Sequence, residues 1–577
     1  MTRRTTTTGI TLAAAACLAL AACSSSGSPT GGGSSSKGGG SNANTALIIE
    51  DATASTAYTN NFNPFDAGDF VLSENTVSFM YEPLMMINTL KSTQPPIPWL
   101  AQKFDWTNNG RTLTISLNPN AKWSDGSALT SADVAFTYQM VTTAKNSAMN
   151  LQGIPAAASI TEPSATQVVI NYATSESANY VAIADQVIVQ KAQWSAISNP
   201  AKYVLPGAQA VGSGPYELDT FSGQDVKYKA NPSYWQGAPK VKELSIPLYT
   251  SNDAASLALS AGNIDLAGND INNVLSTFVN KDPAHNHLYQ SAAPYFPASN
   301  TVSLLLNTQS KTEPALGDVN VRKALSAALD RQSMATQCET NYELPATSSG
   351  GLTLPIDQAA ENPATTADIK SGPDSATVTS DMQAAGYTLT NGKWMKAGKG
   401  ITFSIIDPNT FSDYWCDAQA MATGLTKAGF NVTASGNYTY DTWTQAITTG
   451  NFTAALHWGQ GSTPFQRDQF ILDYTQSAPE GSAAAGDYDR YTSADATKAV
   501  KDYESATSAQ DQQAALNEMQ SVFSKDMPAI PVLYGAAWYE YNDSHFTGWP
   551  TSANPYINPS PQYQAYEYLV WNLTPVS

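Results

Sequence analysis

Charge is scarce in this chain: 13% of its 577 residues are Asp, Glu, Lys or Arg. What charge there is leans one way, with 48 acids against 29 bases and a net charge of -19. That balance argues against nucleic acid as a partner and against holding an anionic bilayer by charge. Histidine is rarer still at 4 residues, and Asp, Glu and His do not cluster as ligands. His285 and His287 read as an exposed loop pair, so neither a metal nor another cofactor is expected. Beyond the first two dozen residues no apolar run approaches transmembrane length, and the body is expected to be soluble. No Gly-x-Ser-x-Gly, His-Glu-x-x-His or Ser-x-x-Lys context stands out as catalytic, which leaves a secreted hydrolase as a remote alternative.

Cysteine is sparse as well, with 4 residues, yet one of them carries the clearest signal. Met1-Thr2-Arg3-Arg4 is basic, Ile10 to Ala22 is a short apolar stretch, and the stretch ends Leu20-Ala21-Ala22-Cys23. This is the layout of a secretory signal. Leu-Ala-Ala-Cys resembles a bacterial lipobox, which implies cleavage after residue 22 and a lipidated Cys23. Removing Arg3 and Arg4 takes the net charge from -19 to -21. Residues 23–44 are almost wholly Ser, Gly, Asn and Thr. A coil of this kind spans roughly 25 Å and has too little apolar surface to pack. The expectation is an exported body, lipid-anchored to the outer face of the cytoplasmic membrane. Cys17 leaves with the signal, so the body retains Cys338 and Cys416. They can bridge in an oxidising compartment if the fold brings their Cα atoms together.

About 530 residues remain, enough for two or three lobes. Strands are expected to recur between helices along the whole length, a mixed α/β (α+β) body. Ala46 to Glu50 reads as a first strand. Asn109-Gly110 between Phe104-Asp105-Trp106 and Thr112 to Leu117 predicts a β-hairpin with Leu113, Ile115 and Leu117 buried. Thr130 with Asp133 resembles a capping box ahead of a helix burying Val134, Tyr138 and Val141. Asp318 caps a second helix with a stripe of Val321, Leu325, Ala328 and Leu329. Ser348 to Pro373, rich in turn formers, predicts a long surface excursion.

In order along the chain, Tyr81-Glu82-Pro83-Leu84, Trp99-Leu100-Ala101, Trp123-Ser124-Asp125-Gly126, Gly212-Ser213-Gly214-Pro215-Tyr216, Asn231-Pro232-Ser233-Tyr234-Trp235, Gly262-Asn263-Ile264-Asp265, Asp318 through Arg331 and Met527-Pro528-Ala529-Ile530-Pro531 resemble the family-5 extracytoplasmic solute-binding proteins. These are the oligopeptide- and dipeptide-binding lipoproteins of ABC importers. The resemblance implies a two-lobed periplasmic-binding-protein-like fold of the large, three-subdomain type. Lobe I would comprise 45–82, 207–295 and 525–577, with a subdomain inserted at 83–206, and lobe II would be 296–524. Hinges would lie near Pro294 to Thr301 and Lys525 to Pro531. The implied partners are a small oligomeric solute and ABC permease subunits, with the protein itself a monomer.

The solute is where the resemblance divides. Peptide-binding members place an aspartate three residues after a Trp that matches Trp458, where it pairs with the peptide ammonium; here that position is Gly461. An arginine three before the Trp corresponds to Ala455. Retaining Trp458 without those charges suits a neutral, hydroxyl-rich ligand stacked on aromatics, as in the oligosaccharide-binding branch. Trp458, Trp415, Tyr534 and Phe65 are the candidate cleft aromatics, with Asn63 and Gln460 as hydrogen-bond partners. Each aromatic except Trp458 has an equally good reading as core. An oligosaccharide is favoured, and an oligopeptide or dipeptide is the alternative.

Overall fold

The computed structural model describes residues 46–50, 57–66, 70–73, 75–563 and 565–576. Cys23, the segment 1–22 and the linker 23–44 lie outside the described residues. The three largest sheets among the described residues have seven, six and four strands.

The seven-stranded sheet runs, in spatial order, Asn286–Leu288, Glu540–Asn542, Leu266–Ala267, Leu47–Glu50, Glu243–Pro247, Asp225–Ala230 and Tyr216–Phe221. Leu47–Glu50 is parallel to both neighbours, while the outer pairings are antiparallel. The six-stranded sheet runs Leu344–Pro345, Ala529–Ala536, Ala298–Leu306, Ala454–Trp458, Thr402–Ile406 and Asn431–Ser435. Thr402–Ile406 is parallel to both of its neighbours. Apolar clusters that share Trp458 at their margins cover this sheet, one around Leu304, Leu325 and Met421 and another around Leu305, Trp443 and Phe523.

The four-stranded antiparallel sheet contains the expected hairpin, Ala101–Thr107 with Thr112–Leu117. Asn108 and Asn109 take the left-handed conformation at the turn (φ 58° and 54°), and Leu113, Ile115 and Leu117 are buried. The helix Ser131–Thr142 starts with the expected capping box, Thr130 N–H donating to Asp133 Oδ2 at 2.9 Å. Asp318 caps Val319–Ala328 by accepting from Asn320 N–H at 2.9 Å.

Several motifs that carry the family resemblance meet at one buried carboxyl. Glu82 accepts from Trp99 Nε1 at 2.7 Å, from Trp235 Nε1 at 3.0 Å and from the Tyr234 hydroxyl. Its own N–H donates to Ser213 Oγ at 3.2 Å. Gly212 beside Ser213 must be glycine, because a Cβ there would lie 1.9 Å from the Met80 carbonyl oxygen. Burial pushes the Glu82 carboxyl up to about 7, and the donors around it pull the other way.

Two expectations need correction. The C-terminal segment 525–577 does not lie wholly with the first lobe. Ala529–Ala536 is buried at all eight positions and is paired on both sides within the six-stranded sheet. The chain therefore crosses back only between Ala536 and Glu540, later than the hinge expected at Lys525 to Pro531. At that crossing Phe296, Tyr342 and Trp538 pack edge to face, with centroids 5.0 to 6.0 Å apart. The stretch 348–373 is also less superficial than its composition suggests. Ser348, Ser349, Leu352, Thr353 and Asp357 are buried, because Asp357 anchors the stretch to the buried Arg467, whose Nη1 lies 2.6 Å from both carboxylate oxygens.

Candidate functional site

Strand direction locates the site. Thr402–Ile406, Asn431–Ser435 and Ala454–Trp458 are parallel, so Asp407 and Trp458 emerge at one edge of the six-stranded sheet. Antiparallel pairing brings Ala298, Ala536 and the start of Leu344–Pro345 to the same edge. In the seven-stranded sheet, Glu50 and the turn after Ala267 end parallel strands, beside the start of Glu540–Asn542. The crossing between Ala536 and Glu540 joins these two edges. A crevice outside the carboxyl ends of parallel strands is the common ligand position in open α/β sheets.

Contacts run across the crevice. The Tyr342 hydroxyl donates to the Ile271 carbonyl at 3.0 Å and accepts from Val274 N–H at 2.7 Å. Ser412 Oγ donates to Asp270 Oδ2 at 3.4 Å. Ser92 Oγ donates to Asp357 Oδ1 at 2.7 Å, so the carboxylate held by Arg467 also takes a donor from the region 83–206. In this structure the lobes are in contact.

Trp458 is the centre of an aromatic stack. Trp443, from the helix Tyr440–Thr449, lies 5.4 Å from it at 27°, and Tyr414, from the helix Ser412–Lys427, lies 6.2 Å away at 28°. Phe411 meets it edge-on at 6.3 Å. Trp458 is half-buried, as is the edge-on Phe411, whereas Trp443 and Tyr414 are buried, so Trp458 is the stacked ring with a partly free face. His457 packs near-parallel to both Trp443 and Trp458, at 5.4 and 4.9 Å, and burial lowers its pKa to about 4. It is a neutral ring in the stack at ordinary pH.

The other sequence candidates scatter. Gln460 and Gly461 follow Trp458 in an exposed loop. Gly461 has φ +110°, and a Cβ there would lie 2.7 Å from Gln466 Cβ. An aspartate at this position would thus require a different loop, not merely a different side chain. Trp415 is half-buried, with its ring beside Gly436 and Asn409. Tyr534 is buried, and its hydroxyl accepts from the N–H groups of Thr347 at 3.1 Å and Ser348 at 3.3 Å. Asn63 is wholly buried, donating to the carbonyls of Pro200 and Tyr203 and accepting from Phe65 N–H. Phe65 packs edge to face on Trp194 at 5.5 Å. Asn63, Phe65 and Tyr534 hold backbone or core, away from the Trp458 stack.

Sequence reasoning missed a group of acids. Asp270 from one side of the crevice and Glu339, Glu343, Asp407, Asp413 and Asp417 from the other act on one another electrostatically. Glu339, Glu343, Asp407 and Asp417 are buried, and Asp270 and Asp413 are half-buried. Burial raises the Asp270 carboxyl to about 8 and Asp407 to about 9, with neighbouring carboxylates adding to each shift. The bridge Cys338–Cys416, with Cα atoms 5.5 Å apart, sits in sequence directly before Glu339 and Asp417. An acid following each of the body's two cysteines was the one signal available in the sequence.

Comparison with known proteins decides the family. The model described as bacterial extracellular solute-binding proteins, family 5 Middle, matches residues 95–482. The chain belongs to this family. It is accordingly a solute-binding protein and not an enzyme. Protein XP55 of Streptomyces lividans is 25% identical over 364 residues, covering 57% of this chain and 57% of that protein. The chain spans about half the length of the curated relatives it matches. The fold resembles the periplasmic oligopeptide-binding protein of a Thermotoga maritima oligopeptide ABC transporter in its mannohexaose-bound structure. The TM-score is 0.78 at 20% identity, over 92% of this chain and 99% of that one. It also resembles Bacillus subtilis AppA, an oligopeptide-binding protein in complex with a nonapeptide, with TM-score 0.70 at 17% identity over 92% and 99%.

Proposed function

We propose that this protein is the substrate-binding lipoprotein of an ABC importer, anchored through Cys23 and passing a short oligomer to membrane permease subunits. The oligomer is captured between the two lobes, and closure is favoured because only the closed form contacts it from both sides. An oligosaccharide is the preferred ligand. The observation that carries this preference is the half-buried Trp458 stack beside a Gly461 loop with no room for the ammonium-binding carboxylate of the peptide binders. Trp458 would stack on the ligand, with Gln460 and the Gly461 loop at its rim. The reading agrees with a similar fold having been found with mannohexaose bound, although another was found with a nonapeptide.

A thermal-shift screen of the full chain in detergent tests this reading. Cello-, xylo- and manno-oligomers are compared with short free-amine peptides. A ligand at a hundred times its Kd stabilises by about 2.7 kcal/mol. A melt shifted only by peptides would overturn the oligosaccharide preference.

A further inference from the structure

Six carboxyls converge where the two lobes meet, and none of the six joins an ion pair among the described residues. Asp407 is fully buried and neither of its carboxyl oxygens has a hydrogen-bond partner among the described residues. It sits at the end of Thr402–Ile406, next to the strand that ends in Trp458, and it faces Asp413 and Asp417. No carboxyl oxygen of Glu339 or Asp417 has a hydrogen-bond partner among the described residues, and the two acids act on each other electrostatically. Glu343 uses one oxygen to accept from Ala536 N–H at 2.9 Å and leaves the other without a donor. Asp270 comes from the opposite lobe and meets the group through Ser412. We propose that this group of carboxyls receives one cationic group of the bound solute, an ammonium or guanidinium, held between Asp270 of one lobe and Asp413 of the other, with the unpartnered Asp407 beside Asp413.

The proposal rests on the capture reading above and narrows its ligand class. Buried carboxylates without counter-charges are costly, and the group must either hold protons or find a cation. A cation on the solute supplies that charge only when the lobes are closed, because Asp270 and Asp413 belong to different lobes. Cation binding and closure are thereby one event. An organic cation suits the wall, since Tyr414 stacks against Trp458 and borders the carboxyls. A ring face beside an ammonium adds to its binding. An amino-sugar oligomer combines a hydroxyl-rich body for Trp458 with an ammonium for the carboxyls. A basic peptide shares the ammonium alone.

Titration calorimetry on the full chain at pH 7 separates these sources, with a glucosamine tetramer, cellotetraose, trilysine and calcium chloride as probes. The glucosamine tetramer is expected to bind at least about tenfold tighter than cellotetraose, and Asp407→Asn is expected to remove about that factor, as befits a charge-assisted contact. Cellotetraose, which carries no ammonium, should lose far less affinity than the glucosamine tetramer in the variant. An Asp407-dependent gain for trilysine and none for the glucosamine tetramer would keep the cation receptor and remove the oligosaccharide reading. Equal affinity for the glucosamine tetramer, trilysine and cellotetraose would overturn the receptor and leave the capture reading intact. Calcium binding that displaces the amines would overturn it in favour of a metal. Should Asp407→Asn fail to fold, the half-buried Asp270→Asn carries the same test, with its melting curve as the folding control.

Discussion

Two sets of buried acids in this protein have opposite designs. Glu82 lies in the body of the first lobe, and three side-chain donors from two other segments end on its carboxyl. Four of the crevice acids, Glu339, Glu343, Asp407 and Asp417, are as deeply buried, yet Asp407, Asp417 and Glu339 receive no donor from outside their own group among the described residues. A satisfied buried carboxyl welds segments together. An unsatisfied set stores a need for charge that closure and binding can meet. Family motifs gather at the first kind, whereas the second kind sits where a solute would be held.

The largest expected effect is at the welded site. Glu82→Ala leaves Trp99 Nε1, Trp235 Nε1 and the Tyr234 hydroxyl without an acceptor, at a cost of about 4 kcal/mol. Glu82→Gln keeps an acceptor and should lose less than half of that. Chemical denaturation of both variants measures the gap, and equal losses would show that the donors do not define the site.

Next in size is the bridge Cys338–Cys416, which closes a loop across a sequence separation of 78. Cys338→Ser with Cys416→Ser is expected to cost about 3 kcal/mol. Chemical denaturation of the bridged protein and the double-serine variant measures the loss, and an unchanged midpoint would show that the bridge adds nothing to the folded state.

The crevice acids also set a pH dependence of opposite sense to that of salt-bridged carboxylates. The Asp270 and Asp407 pKa values are raised from 3.8 to about 8 and about 9, so the folded, closed form retains protons that the unfolded chain has released. Stability is therefore full below about pH 4 and is lost as pH rises toward 9. Asp413, Asp417, Glu339 and Glu343 face these two groups and shift the same way, and Glu540 lies near Asp270. Glu82, raised to about 7, contributes with the same sign up to that pH. Melting temperature should fall between pH 5 and pH 9, and Asp407→Asn should lessen the fall across that whole range. An unchanged slope in that variant would place the titration elsewhere.

How much of this was legible follows from how far each signal reaches along the chain. The Asn-Gly hairpin, the Thr130 capping box and the Asp318 cap depend on residues within a few positions, and each was readable. The strand Ala529–Ala536 was recognisable as apolar, but which sheet it joins depends on Ala298–Leu306, more than two hundred residues away. Asn63 and Phe65 looked like ligand residues because they stand in a turn-rich stretch, and Tyr534 because it is aromatic, yet partners such as Pro200 and Thr347 are distant in sequence. The acid group draws on Asp270, Glu339, Asp407 and Asp417, four separate segments. Only the fold brings them together.

The smallest expected effect separates the aromatic stack from the aromatic core. Trp458→Ala removes the half-exposed ring while Trp443 and His457 remain packed behind it, so stability should change little beyond the lost stacking. Affinity for the captured oligomer should fall about tenfold, the scale of one lost aromatic contact. Tyr534→Phe removes the hydroxyl that accepts from Thr347 and Ser348 N–H and also meets the Thr347 hydroxyl. It should lower stability by about 1 kcal/mol and leave affinity unchanged. Calorimetry and melting curves on the pair decide the matter: an affinity loss in Tyr534→Phe matching that of Trp458→Ala would return Tyr534 to the binding surface.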